Sequence, residues 1–334
     1  MNILVTGGAG FMGSNFVRYL LNTYPDYTVV NFDKLTYAGN LLNLESVEKN
    51  PRYHFVQGDI CNREQIQSAI KKYAIDVVVN YAAETHVDRS IMDPEAFLRT
   101  DVLGTYQLLE ATKKFGLKKM VQVSTDEVFG SIDEGFFTEE SPFQPNSPYS
   151  ASKAGGDLLC RAYFVTYKTP VVVTHSCNFF GSYQYPEKFI PLFITNLIEG
   201  KKVPLYGDGK NVREWIYVDD HCRAIDAILH RAEPGSVYNI GTGQEIANID
   251  VVKKLLSLLD LSEDMIEYVS DRPGHDRRYA INWTRLKKDL GWEPIVSFED
   301  GLKKTVEWYK KNEDWWKKIK SGEYQSYYEK QYRK

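Results

Sequence analysis

Val5-Thr6-Gly7-Gly8-Ala9-Gly10-Phe11-Met12-Gly13-Ser14 joins an apolar run starting at Ile3 to a helical pattern over Ser14 to Leu21. Glycines at 7, 10 and 13 suit a tight turn after a strand, close approach of backbone to a pyrophosphate, and close packing of the next helix on that strand. The N-terminus of the helix then faces the phosphates. A glycine triad in isolation is weak, but directly after a first strand and opening a helix it marks a dinucleotide site. Asp33 closes a second strand, Thr28 to Phe32. A carboxylate there bonds a ribose diol and repels a 2′-phosphate, which favours NAD over NADP. Asp59-Ile60, after a third strand at Tyr53 to Val56, is placed to meet the adenine.

Outward from this turn, apolar runs at Val77 to Asn80, Met120 to Val123 and Val171 to Thr174 complete six strands. They alternate with helical stretches, notably Phe97 to Phe115, where Leu98, Val102, Tyr106, Leu108 and Leu109 recur near helical spacing. That alternation predicts an α/β protein, a Rossmann-type doubly wound parallel sheet with a smaller, mainly C-terminal α/β substrate domain. Turn-formers cluster after residue 175, so the expected division is 1–175 for the NAD-binding domain, and 176–213 with 243–334 for the second. Residues 214–242 are expected to return to the first domain through an N-capped apolar helix beginning near Asp219-Asp220. From Leu302 the tail reads as a solvated amphipathic helix.

Composition narrows the classes. With 334 residues, 43% hydrophobic and 26% charged, the chain can bury a large core. Its first residues already read as a strand, with no signal-peptide pattern and no run of membrane-span length, so a cytoplasmic protein is expected. A net charge of −4 argues against a general nucleic-acid surface. Cys61, Cys160, Cys177 and Cys222 are scattered and read as buried free thiols, not disulfides or a zinc site.

A second focus is Ser124-Thr125-Asp126-Glu127, at the carboxyl end of the strand Met120 to Val123. Ligands of open parallel sheets bind just beyond such ends. The plainer alternative is a hydroxyl capping the next helix, with two acids in its first turn. Downstream, Tyr149 and Lys153 stand four apart in Pro148-Tyr149-Ser150-Ala151-Ser152-Lys153, which opens a helical pattern running to about Tyr167. That spacing puts both side chains on one helix face. Making a tyrosine a base near neutrality requires about 3 pKa units, roughly 4 kcal/mol. An exposed ion pair supplies about 0 to 1 kcal/mol. Lys153 must therefore act in a desolvated site, helped by a positive nicotinamide ring.

The glycine triad with Tyr149-x-x-x-Lys153 resembles the extended short-chain dehydrogenase/reductase superfamily. More narrowly, Asp33 to Asn40, Ala82 to Ser90, Ser124 to Gly130 and Asp271 to Tyr279 resemble the dTDP-glucose 4,6-dehydratase family over nearly the whole chain. The resemblance implies tightly held NAD at Gly7, Gly10, Phe11, Met12, Gly13, Asp33, Lys34, Thr36, Gly39, Asp59, Ile60, Ala82 and Ala83, with Tyr149 and Lys153. It implies a nucleotide sugar, dTDP-glucose, held by Thr85, His86, Asp88, Ser124, Asn178, Glu187, Lys188, Arg213, Asn248, Arg272 and His275. Thr125 and Tyr149 would contact the 4-hydroxyl, and Tyr149 would take its proton as hydride leaves C4. Glu127 would then remove the C5 proton, Asp126 would protonate the departing 6-hydroxyl, hydride would return to C6, and C5 would be reprotonated. A homodimer and a place in deoxysugar synthesis of the rhamnose type are implied too. No metal is expected: Glu84, His86 and Asp88 read as substrate contacts or loop hydrogen bonds.

The chain departs from the family pattern at Asp101, where Asn is usual, and at Phe129, His175, Phe179 and Phe180. These changes suggest altered substrate fit. Two other readings remain at this point: an NAD-dependent nucleotide-sugar 4-epimerase, for which Asp126 and Glu127 are dispensable, and a non-catalytic NAD-binding protein.

Overall fold

The computed structural model describes residues 1–271 and 273–320. Its strands are β1 (Asn2–Thr6), β2 (Thr28–Asp33), β3 (Tyr53–Gln57), β4 (Val77–Asn80), β5 (Lys119–Thr125), β6 (Val171–Ser176), β7 (Asn178–Phe180), β8 (Val203–Tyr206), β9 (Val212–Tyr217), β10 (Val237–Ile240), β11 (Glu245–Ala247) and β12 (Ile266–Val269). The helices are α1 (Phe11–Thr23), α2 (Arg63–Tyr73), α3 (Val87–Met92), α4 (Pro94–Phe97), α5 (Thr105–Phe115), α6 (Pro148–Tyr167), α7 (Phe189–Ile198), α8 (Val218–Arg231), α9 (Asn248–Leu259), α10 (Thr284–Leu290), α11 (Phe298–Lys311) and α12 (Glu313–Ile319). A wide π turn, Leu98–Gly104, links α4 to α5.

Seven strands form a sheet in the order β10-β6-β5-β4-β1-β2-β3, parallel at every pairing. Their valine and isoleucine runs are buried, as strands covered by helices on both faces require. From β1 the chain first builds outward through β2 and β3, then crosses back to β4. The order reverses between β1 and β4, and the crevice beyond their carboxyl ends is where such sheets bind ligands. A polar ladder crosses the middle of the sheet: Thr6 Oγ1 donates to Asn80 Oδ1 at 2.5 Å, and Asn80 Nδ2 to Gln122 Oε1 at 2.8 Å.

Residues 214–242 contribute β10, which pairs with β6, and α8, which packs on α1. Lys119 Nζ on β5 donates to the carbonyls of Ile228, Leu229 and Ala232, tying down the carboxyl end of α8. The smaller sheets are β11-β9-β7 and β12-β8.

Several expectations need correction. Asp219 and Asp220 do not cap α8: its N-cap is Tyr217, without a side-chain bond. Asp220 instead accepts the Ile295 and Val296 N–H groups, holding the segment before α11. The tail is two helices broken at Asn312, and Tyr309 and Trp316 are fully buried in it, so it belongs to the core. The pattern of Leu98, Val102, Tyr106, Leu108 and Leu109 is buried unevenly, with Tyr106 half-buried against the core. Leu98 is 55% exposed, while Phe97, Leu108 and Leu109 are buried. Cys61 is only half-buried, and all four cysteines are free. No helix among the described residues is long and apolar enough to cross a membrane.

Candidate active site

A cavity of about 320 Å³ opens at the switch point and runs from Gly7, Gly10 and Gly13 to Thr125, Asp126 and Glu127. Gly7 turns the chain at φ +66, and a Cβ on it would lie 2.6 Å from the Ala82 nitrogen. A Cβ on Gly13 would meet the Gly7 carbonyl at 2.2 Å, so α1 packs directly on the turn. Over Gly10 the space is open, with the Gly7 oxygen at 3.3 Å the one near atom. No side chain caps the N-terminus of α1 and no acid lies in its first turn, which leaves its leading N–H groups for an anion. Asp33 accepts the Ala9 and Leu35 N–H groups at 2.9 and 2.8 Å, which fixes its carboxylate at the cavity wall. At the rim Lys34 pairs with Asp59 at 2.7 Å. An uncapped helix end, open space over Gly10 and a fixed carboxylate one strand away fit a dinucleotide.

At the other end β5 stops at Thr125 and the chain enters a 3-10 turn, Asp126–Phe129. Thr125 Oγ1 accepts the Glu127 N–H at 3.3 Å and donates to Asp126 Oδ1 at 3.3 Å. Thr125 therefore caps the turn, as the plainer alternative has it, and does so at the wall of the cavity. Because the backbone has left the sheet, strand alternation no longer separates the two carboxylates, and both line the cavity.

Helix α6 starts with a Ser147–Ser150 capping box and Pro148 in its first turn, which sets Tyr149 and Lys153 at the same cavity wall. Lys153 is buried and its Nζ donates to the Val123 carbonyl at 2.9 Å. Burial, then Glu127 and Asp101, push the Tyr149 phenol well above its ordinary range, and Thr125 pulls it partly back. Asp126 is also pushed well up, by burial first and then by Glu127 and Glu214.

Every residue expected to hold the dinucleotide lines the cavity, as do Thr85, Ser124, Asn178, Glu187 and Lys188. Within it Ser124 Oγ donates to Asp157 Oδ2 at 2.6 Å. Glu187 is buried, accepts the Tyr37 hydroxyl at 2.8 Å and lies 3.3 Å from Arg89, whose guanidinium covers the Tyr37 ring. Lys188 Nζ donates to the Thr85 carbonyl. Of the remaining expected sugar-nucleotide contacts, His86, Asp88, Arg213, Asn248 and His275 lie outside the cavity wall. His86 is buried at the start of α3, and Asp88 accepts the Tyr206 hydroxyl at 3.3 Å. Arg213 donates to the Asp276 carbonyl at 2.9 Å and lies over the Tyr279 ring. Asn248 is the first residue of α9, and His275 Nδ1 is 2.5 Å from Asp271. Arg272 lies outside the described residues. Glu84, expected as a substrate contact or loop hydrogen bond, lines the cavity too, as do Thr100, Tyr185 and Trp215, which were not expected there. Thr100, Tyr185 and Trp215 carry no motif, and only folding brings them to the wall.

The sequence matches the GDP-mannose 4,6 dehydratase family over residues 4–305. It is 49% identical to a dTDP-glucose 4,6-dehydratase of Streptomyces niveus over 325 residues, 96% of each chain. Among solved structures, it is similar to a dTDP-glucose 4,6-dehydratase of Bacillus anthracis in complex with NAD, at 53% identity and TM-score 0.90, covering 96% of this chain and 99% of that one. A dTDP-glucose 4,6-dehydratase of Streptomyces venezuelae with NAD bound is 49% identical, at TM-score 0.93, covering 96% and 100%.

Proposed function

Since the chain belongs to the GDP-mannose 4,6 dehydratase family, and within it to the dTDP-glucose 4,6-dehydratases, we propose that it dehydrates dTDP-glucose to dTDP-4-keto-6-deoxyglucose with bound NAD. The observation that carries this reading is the placement of Asp126 and Glu127 together on a turn beyond β5, in one cavity with Tyr149, Lys153 and the glycine turn. A 4-epimerase has no use for such a pair, and a binding protein has no use for Tyr149 and Lys153 either.

Gly7, Gly10 and Gly13 would hold NAD, with its ribose on Asp33, and when bound it would supply reversible hydride transfer with the sugar. Thr125 and Tyr149 hold the 4-hydroxyl, and Tyr149 accepts its proton while buried Lys153 favours the phenolate. The resulting C4 ketone acidifies the C5 hydrogen, and Glu127 removes it. Asp126, whose carboxyl burial pushes well above its ordinary range, gives its proton to the departing 6-hydroxyl, which leaves as water, and a solvent-derived proton returns to C5 as hydride reaches C6. Arginine suits the diphosphate because its planar fork bonds two oxygens at once, a role for Arg213 with Arg272.

Residues 1–175 with 214–242 form the NAD-binding domain in this reading, and 176–213 with 243–334 the nucleotide-sugar domain. The pairing of β10 with β6 supports that division. The exposed apolar side chains Leu98, Leu103, Leu158 and Val165 support a homodimer built on the face formed by the π turn and α6. Four free thiols support a reducing, cytoplasmic setting, and the product would feed deoxysugar synthesis of the rhamnose type.

The test is turnover of dTDP-glucose in heavy water. The expected product is a 4-keto-6-deoxy sugar carrying deuterium at C5. Release of dTDP-galactose, or no turnover by NAD-loaded protein, would refute the reading.

A further inference from the structure

Asp101 carries a buried carboxyl that none of these steps uses. It sits in the π turn between α4 and α5, packed against the catalytic helix at Gly156, where a Cβ would come within 2.8 Å of the Asp101 carbonyl. Wide turns of this kind inside helices recur at functional positions. Asp101 Oδ1 accepts the Glu84 N–H at 3.2 Å, from the loop after β4 that lines the cavity. Its Oδ2 is 2.7 Å from Ser152 Oγ, and the same hydroxyl is 2.8 Å from the Tyr149 carbonyl.

A serine hydroxyl has one hydrogen to give. With Asp101 ionised, two acceptors compete for it. With Asp101 protonated, the acid donates to Ser152 Oγ, Ser152 donates to the Tyr149 carbonyl, and every group is paired. Burial acts in the same direction and pushes this carboxyl up to about 7, while Lys153 and the Ser152 and Glu84 hydrogen bonds pull it back. The charged groups facing it are Lys153 from α6 and Glu84 from the β4 loop. Asp101 in turn raises the Tyr149 phenol, together with Glu127 and Asp126.

We propose that Asp101 is a positioning residue whose proton governs the ionisation of Tyr149: the neutral acid completes the chain from Asp101 through Ser152 to the Tyr149 carbonyl, and the carboxylate opposes formation of the phenolate. The inference rests on Tyr149 being the base of the proposed reaction. Ionisation of one group then hinders ionisation of the other, so the rising limb of the pH–rate profile is spread over more than a single titration.

Asp101→Asn separates charge from geometry, because its amide can still accept from Glu84 and donate to Ser152. In this variant, loaded with NAD, the rising limb of kcat/KM against pH moves about 0.5 to 1 unit toward lower pH and steepens. A second measurement needs no turnover. The infrared difference spectrum of the cofactor-bound protein between about pH 6 and about pH 8 shows a protonated-carboxyl band that fades as pH rises, and Asp101→Asn lacks it. An unmoved limb in the NAD-loaded variant, or a band unchanged by the substitution, overturns the proposal. If neither protein turns over dTDP-glucose, a band unchanged by the substitution still overturns the proposal, separately from the failure of the proposed reaction.

Discussion

Asp126 and Glu127 are adjacent in sequence and lie in opposite surroundings: Asp126 is 2% exposed with no hydrogen-bond partner at Oδ2, and Glu127 is half-buried at the cavity wall. Two carboxylates whose environments differ in this way can divide acid and base work at one pH. Replacing either one, as Asp126→Asn or Glu127→Gln, should leave NAD content unchanged and allow oxidation at C4, seen as NADH absorbance on mixing with dTDP-glucose. Formation of the 4-keto-6-deoxy product should slow by about 10² to 10⁴, the usual scale of general acid–base catalysis. Parent-like product formation by either variant would remove that residue from the chemistry.

Gly10 and Gly13 make a contrasting pair. An added methyl at Gly13 meets the Gly7 carbonyl at 2.2 Å, so Gly13→Ala must displace α1 from the sheet and lower stability along with NAD binding. At Gly10 the same methyl finds one oxygen at 3.3 Å. Gly10→Ala should therefore melt within a few degrees of the parent without cofactor, yet lose at least about tenfold in NAD affinity, since the methyl fills the space needed by a pyrophosphate. Calorimetry and NAD titration of both variants check this.

What the sequence shows and what it hides follow physical lines. β1 to β6 are legible because a strand covered on both faces has to be an apolar run, whatever lies around it. The glycine turn is legible because backbone geometry dictates residue type. β11, by contrast, is Glu245-Ile246-Ala247, three residues that extend because they pair antiparallel with Val212 to Glu214, and nothing local announces it. The π turn hides as well. Leu98, Val102 and Tyr106 recur every fourth residue, yet Leu98, where the wide turn begins, is left in solvent while Tyr106 packs against the core. Long-range polar partners are the least visible: Arg213 is fixed by Asp276, 63 residues away.

That partner leads to a third prediction. Asp276 Oδ1 accepts from Asn146 Nδ2 and its Oδ2 from the Tyr279 hydroxyl, each at 2.6 Å. Asn146 immediately precedes Ser147, the cap of α6. The loop that holds Arg213 is thus tied to the start of the helix bearing Tyr149. Asp276→Ala should lower kcat by about tenfold, the scale of losing a charge-assisted hydrogen bond, with a smaller change in affinity for dTDP itself. Asp276→Asn, whose amide oxygen still accepts from Asn146 while its NH2 can donate to the Tyr279 oxygen, should recover most of the loss. An equal loss in both variants would mean that charge, not position, matters there.

His221 offers a test in stability. It is wholly buried, its Nε2 is 3.3 Å from Ser176 Oγ, and its ring stands edge-on to Phe179. Burial lowers it from 6.5 to about 3. Between those values the unfolded chain binds a proton that the folded chain refuses, so stability falls as pH drops, by about 1.4 kcal/mol per unit. Above pH 6.5 the contribution is constant. Urea unfolding at pH 7 and at pH 5, with protein and NAD concentrations held equal, should show the parent losing about 2 kcal/mol more than His221→Phe. The variant has no imidazole to protonate, so whatever acid loss it shows belongs to other groups. Identical losses in the two proteins would mean that the folded state accepts the proton, and that the packing around Phe179 and Ser176 opens to water near pH 5.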